Sequence, residues 1–390
     1  MLKVKLSLPP DSTFLSQLIY ESLLYLSGKK LAKFENGELL IESISKALET
    51  FDDERVGEIR IVMSGNDNIN AKIFETFGIG GVKSRKTYYD LIALLKEHRD
   101  KISTKDESEI HLNIKGKDVF MDINSKSDGI AAPQLLKVDR YTGFSSLDTP
   151  YTSQQLTFYL SKEVALLALL GIYSSFVTNV RQQQQSYYYF LFFSPEEVAG
   201  LLNSPSLAEK FFLVKESVRE SLRELLRRTT FNELLLIETT LNLELQRLME
   251  TENLDKISLT LFKIAHEGQT YKIYEQIPIT VYRNPAFYET AKKYFRDPLK
   301  FSEKLRKAIT QGVIPSALAI LSTKNKYSEA DNILKAIQML YRFVVLGDLQ
   351  GWFGFLRELN NAHSKLKNSS DGREKKRAGQ YLNIVKEVAW

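Results

Sequence analysis

Val164–Val180 reads VALLALLGIYSSFVTNV, and after the polar run Arg181–Ser186 (RQQQQS) comes Tyr187–Phe193, YYYFLFF. The first stretch is apolar for 17 residues, the short limit for a helix crossing a bilayer. Ser174, Ser175, Thr178 and Asn179 break that apolarity, and Glu163 precedes it. The stretch therefore reads as a helix buried in a protein core. The density of aromatic rings in Tyr187–Phe193 favours a buried strand. Ser194-Pro195-Glu196-Glu197 then opens a helix, with serine as N-cap and proline at the first helical position. A core helix leading into a core strand predicts an α+β protein without a membrane span.

Working toward the N-terminus, Lys3–Leu8 alternates as a strand and meets Pro9-Pro10, which is not the pattern of a secretory leader. Asp11-Ser12 offers an N-cap, and Phe14, Leu15, Leu18, Ile19, Leu23 and Leu26 recur at helical spacing up to Gly28. A helix is predicted over Leu39–Phe51, a strand over Glu58–Met63, and helices over 69–77 and 87–98. Ile110–Ile123 alternates on both sides of Lys115–Asp118, the pattern of a hairpin. Ser125–Pro150 is rich in loop residues. Toward the C-terminus, 207–228 and 231–250 read as two long helices. Residues 257–281 read as a hairpin turning at Glu267-Gly268. The remainder is helical, with a basic loop at 365–373. The expected division is a mixed α/β domain at 1–125, a connection at 126–150, a central domain at 151–285 and a basic helical domain at 286–390. No fixed-period repeat is present.

The 390 residues carry a formal charge of +5 and no cysteine. The missing thiols exclude disulfides, cysteine-ligated zinc, iron–sulfur clusters and a thiol nucleophile. The four histidines share no metal-ligand spacing, so neither a metal nor a cofactor is expected. Gly78–Lys86 (GIGGVKSRK) has Val82 where a phosphate loop needs glycine before its Lys-Ser pair. As a backbone contact to DNA or RNA, however, Lys83, Ser84, Arg85 and Lys86 after flexible glycines remain candidates. Arg181, Gln182 and Gln183 could read base edges with their amides, or simply connect two buried elements. Lys292, Lys293, Arg296 and Lys300 interleave with Tyr288, Tyr294 and Phe295, the combination that grips single strands. Lys375, Lys376 and Arg377 form a second basic cluster. Lys215, Arg219, Arg223 and Arg227 share a helix face, but Glu216, Glu220 and Glu224 beside them point to ordinary intrahelical pairing.

Gly143–Val198, GFSSLDTPYTSQQLTFYLSKEVALLALLGIYSSFVTNVRQQQQSYYYFLFFSPEEV, resembles the middle of the large subunit of archaeal type I-A CRISPR interference (Cascade) complexes. The resemblance implies a cytoplasmic, non-enzymatic subunit in antiviral defence. Such a subunit would help recognise target DNA and its adjacent motif. Its partners would be the guide RNA, the target DNA, the other complex subunits and a separate helicase–nuclease. The resemblance assigns no individual binding residue; the cations named above are candidates from charge and placement. Two alternatives stand beside it: a metal-dependent nuclease whose carboxylates meet only in the fold, and a scaffold that touches only protein.

Overall fold

The computed structural model describes residues 1–7, 13–35, 38–63, 67–80, 87–141, 157–182, 185–319 and 327–388. The fold is α+β, with the strands early in the chain and helices dominating its C-terminal part. Contacts group it into two units, Met1–Leu213 with Ser258–Pro278, and Val214–Ile257 with Ile279–Trp390. This grouping differs from the linear division expected from composition.

The first unit begins β1 (Leu2–Leu6), α1 (Phe14–Gly28), β2 (Ala32–Glu35), β3 (Glu38–Ile41), α2 (Ile44–Glu49), α3 (Asp53–Glu58), α4 (Asp67–Thr76), α5 (Tyr88–Glu97) and β4 (Glu107–Ile110). It continues with β5 (Leu112–Lys115), β6 (Asp118–Met121), β7 (Ile130–Ala131), β8 (Thr157–Leu160), α6 (Lys162–Ser175), β9 (Phe176–Gln182), β10 (Gln185–Phe193) and α7 (Pro195–Asn203). Three later elements cross between the units: α8 (Ala208–Leu226), β11 (Lys256–Glu267) and β12 (Thr270–Tyr282). The described strands form three four-stranded sheets, ordered β2-β3-β1-β4, β5-β6-β8-β7 and β12-β11-β10-β9.

Three expectations change here. The apolar helix α6 stops at Ser175, and Phe176 begins β9, which pairs antiparallel with β10. The ring of Phe176 and the branched Val177 and Thr178 favour extended backbone once a partner strand is available. Ser174 donates to buried Glu21 at 2.5 Å and Ser175 to the Gly171 carbonyl at 2.7 Å, so the polar breaks in the apolar run are satisfied. Leu39–Phe51 divides into β3 and α2, because Leu39 and Ile41 alternate into a ladder and Ser43 caps the helix by accepting from the Lys46 amide. Among the described residues, Glu58–Met63 forms no ladder beyond a single bridge, Val62 to Thr87. Its alternation is real, since Ile59, Ile61 and Met63 are buried, but among the described residues no strand pairs along it. Among the described residues, no helix is long and apolar enough to cross a membrane.

The core of this unit is built where α1 meets α6 and the large sheet. Phe14 lies edge-on to Phe190 and Phe192, with ring centroids 5.0 and 5.6 Å away. A Cβ on Gly171 would sit 2.1 Å from the Leu18 carbonyl oxygen, so α6 approaches α1 at a distance only glycine permits. The start of α1 takes no side-chain cap from Thr13. Instead Asp139, far along the chain, accepts from the Phe14 amide through both oxygens at 3.0 and 2.9 Å.

The second unit holds α9 (Asn232–Leu241), α10 (Leu243–Thr251), α11 (Ala286–Tyr294), α12 (Pro298–Thr310), α13 (Val313–Ala319), α14 (Ala330–Val344), α15 (Leu349–Leu366) and α16 (Gly372–Val388). The long helix expected over 231–250 is broken at Asn242, whose side chain caps α10 by accepting from the Glu244 and Leu245 amides. Helices α14 and α15 pack at glycine distance: a Cβ on Gly351 would lie 2.4 Å from the Met339 carbonyl oxygen.

Candidate nucleic-acid interface

The α11–α12 junction is pinned from within. Phe295 stacks on Phe301 with centroids 3.8 Å apart and stands edge-on to Trp352 at 5.6 Å. Asp297 caps α12 by accepting from the Lys300 amide, and Pro298 occupies its first turn. With Phe295 turned inward, its neighbours face solvent: Tyr294 is 53% and Leu299 54% exposed. Lys292, Lys293, Arg296 and Lys300 are exposed around them. Lys292 is paired with Glu289 at 3.1 Å, and Lys293 lies over the Tyr294 ring at 5.5 Å. Arg296 and Lys300 make no ion pair among the described residues. The junction thus presents an exposed phenol ring flanked by cations, fixed by a rigid aromatic core. Such a surface can stack a base and hold its phosphates.

Two cations of the same basic stretch are committed elsewhere. Lys304 donates to the Glu387 carbonyl at 2.6 Å, and Arg306 pairs with buried Glu238 at 2.7 Å. In the second basic cluster, Lys375 and Lys376 are exposed, but Arg377 turns inward. Its Nε lies 2.7 Å from Glu329, which is fully buried, and its guanidinium covers the Tyr327 ring at 3.9 Å. Glu329 also accepts from the Tyr381 hydroxyl at 3.2 Å, so this arginine is part of the core. Lys375 lies in the first turn of α16, roughly 18 Å along the axis from the Glu387 end that receives Lys304. The two clusters are therefore distinct surfaces.

In the first unit, Arg181 is exposed at the end of β9 and Gln182 is half-buried. Gln183 lies outside the described residues, as do Lys83, Ser84, Arg85 and Lys86. Near this hairpin end, Gln185 donates to Glu267 at 3.4 Å and to the Tyr274 hydroxyl at 3.2 Å. The Lys272 ammonium, and then the Tyr274 hydroxyl, hold the Glu267 carboxyl below the usual carboxylate range. Glu267 thus takes the Gln185 amide and is itself paired with Lys272 at 2.6 Å.

The arginine stripe on α8 is not a surface stripe. Lys215 is fully buried, and Arg219 reaches Glu216 at 2.9 Å and Glu220 at 2.5 Å, while Arg223 reaches Glu220 at 3.2 Å. No sequence signal marked a cleft of about 630 Å³ in the first unit, where Lys72 of α4, Lys126 and Tyr159 of β8 meet. Lys126 pairs with Asp118 at 2.9 Å and covers the Tyr159 ring at 5.2 Å. These residues are far apart in the chain, so only the fold unites them.

No protein-family model matches the chain, and no solved structure gives a significant match. Among the described residues, no group of three or more His, Asp or Glu side chains is arranged to hold a metal ion. Among the described residues, the α11–α12 junction is the sequence-derived candidate whose cations are exposed together with an aromatic ring.

Proposed function

We propose that this chain is a non-catalytic, nucleic-acid-contacting large subunit of a CRISPR RNA-guided DNA surveillance complex, serving antiviral defence in the cytoplasm. The surface from Lys292 to Lys300 carries this reading, because it combines an exposed ring with cations held in place by the Phe295–Trp352 cluster. The resemblance of Gly143–Val198 supplies the assembly, and the junction supplies a chemistry suited to it. In such complexes base pairing to the guide reads sequence, while protein contacts hold backbone and displaced strand. Guide RNA, target DNA, sibling subunits and a helicase–nuclease are the proposed partners.

The test is fluorescence anisotropy of a labelled single-stranded oligonucleotide titrated with the full chain between 50 and 200 mM salt. Each phosphate neutralised on a single strand contributes about 0.7 to the slope of log affinity against log salt. Lys293, Arg296 and Lys300 together give a slope near −2, about a twentyfold loss over that range. The Arg296→Ala/Lys300→Ala double variant should flatten it to about −0.7. An unchanged slope would remove the junction from the interface. Magnesium-dependent shortening of the oligonucleotide in the same experiment would favour the nuclease alternative. Membership of the complex is tested separately: affinity purification from the native host should bring down small RNAs of uniform length, and their absence would refute it.

A further inference from the structure

Exposed rings of the second unit lie beside one buried cluster. Phe295 stands edge-on to Trp352 at 5.6 Å and stacks on Phe301, whose ring lies 5.0 Å from Trp352. Two of these three have an exposed ring as chain neighbour. Tyr294 precedes Phe295, and Phe353, 57% exposed, follows Trp352. The turn between α14 and α15 borders the same surface. A Cβ on Gly347 would come 4.0 Å from Thr290 Oγ1, and Tyr294 lies one turn beyond Thr290 on the same face of α11. Leu346, next to Gly347, is 63% exposed.

One exposed apolar side chain is ordinary. Several around the rim of a single rigid cluster mark a surface that meets a partner. The cations indicate which partner. Lys293 lies over the Tyr294 ring. Arg357, exposed, stands one turn beyond Phe353 on the outer face of α15, and its contact to Glu358 is long at 3.7 Å. Two helices thus repeat the same pairing, an exposed ring with a cation beside it. A partner helix would ask for a continuous apolar groove, whereas here cations interrupt the apolar residues. A repeated ring and cation match a repeated base and phosphate. Bases stacked in a duplex offer no free face, so the match is to an unpaired strand.

We infer that the strand held at this junction is unpaired over successive nucleotides, with one base on Tyr294, another on Phe353 and a phosphate against Arg357. The inference rests on the nucleic-acid reading of the junction and adds a second stacking platform outside the basic stretch.

The test is anisotropy with the full chain on three labelled probes at one salt concentration. They are an oligothymidine of about ten nucleotides, the same backbone with abasic sites throughout, and a blunt duplex of equal length. Phe353→Ala should weaken oligothymidine binding by about five- to 150-fold, the worth of one stacked base. It should leave the abasic strand and the duplex unaffected. Phe353→Trp should keep the affinity, and Phe353→Leu, apolar but without a ring, should lose it. Arg357→Ala should weaken the oligothymidine and the abasic strand alike. Circular dichroism checks each variant, and Phe353→Leu decides the question if Phe353→Ala does not fold. Wild-type affinity in either folded variant, or an equal loss on the abasic strand, would overturn the second platform. The nucleic-acid reading survives that failure if Arg296→Ala/Lys300→Ala still flattens the salt slope. No binding of oligothymidine by the wild-type chain would remove both.

Discussion

Replacing Gly171 by alanine tests how the first unit is packed. The added Cβ would lie 2.1 Å from the Leu18 carbonyl oxygen, 2.7 Å from its carbon and 2.9 Å from its Cα. All three are backbone atoms of α1, so no rotamer change relieves the clash. Ordinary contact begins near 3.4 Å, so the helices must separate by about 1.3 Å. A gap of that size forfeits much of the dispersion energy along the crossing, and overpacking of this kind costs about 1–3 kcal/mol. The improved helix propensity of alanine returns up to about 1 kcal/mol. A net loss of about 1–2 kcal/mol is expected. Gly200, inside α7, is the control, because a Cβ there meets nothing within 4 Å. Gly200→Ala should stabilise by about 0.5–1 kcal/mol through propensity and unfolded-state entropy. Urea denaturation followed by far-ultraviolet circular dichroism measures both. The same chemical change should move the midpoint in opposite directions. A Gly171→Ala protein as stable as wild type would refute the close α1–α6 crossing.

Tyr294→Ala should weaken single-strand binding by about 1–3 kcal/mol if one base stacks on the ring, with the salt slope unaltered; anisotropy at two salt concentrations separates the two effects. Asp139→Ala removes the acceptor at the start of α1 and should cost about 1 kcal/mol in urea denaturation, whereas Asp139→Asn, which keeps an acceptor oxygen, should recover part of it. Glu238 gives a pH dependence whose sign follows from its raised folded-state value. Above about pH 4.5 the unfolded chain releases a proton that the folded state retains, so this group's contribution to stability is present at low pH and declines as pH rises. The stability difference between wild type and Glu238→Gln should therefore fall between pH 4.5 and 7; a flat or rising difference would contradict the burial of this carboxyl.

What the sequence revealed was what local physics decides. The helix after Ser194 was legible because Ser194, Pro195 and the acidic pair are a self-contained start signal, and the structure shows the serine accepting from the Glu197 amide. The two hairpins at 110–123 and 257–281 were legible from alternation on either side of a turn. Phe176–Gln182 was not, because its seven residues suit a helix or a strand until β10 lies beside them. Asp139 gave no sign of capping a helix more than a hundred residues earlier. The same holds for the candidate cations. Lys292, Lys293, Arg296 and Lys300 are near neighbours in the chain, so their clustering survived folding. Arg377 looked equivalent to Lys375 and Lys376, yet its partner Glu329 comes from another element and draws it inward. Tyr294 and Phe353 come from two helices, so no single window pairs them.

The three crossings between the units, within α8, β11 and β12, also set an order of events on the ribosome. The first unit includes Ser258–Pro278, so its large sheet cannot close until that hairpin has left the exit tunnel. By then Val214–Ile257 has already emerged, ahead of the residues from Ile279 onward that complete its own unit. Each half must hold an unfinished edge while the other is being made, a situation in which exposed apolar surface invites chaperones. It follows that no single cut of the gene yields either unit intact; separating them requires circular permutation or excision of an internal segment.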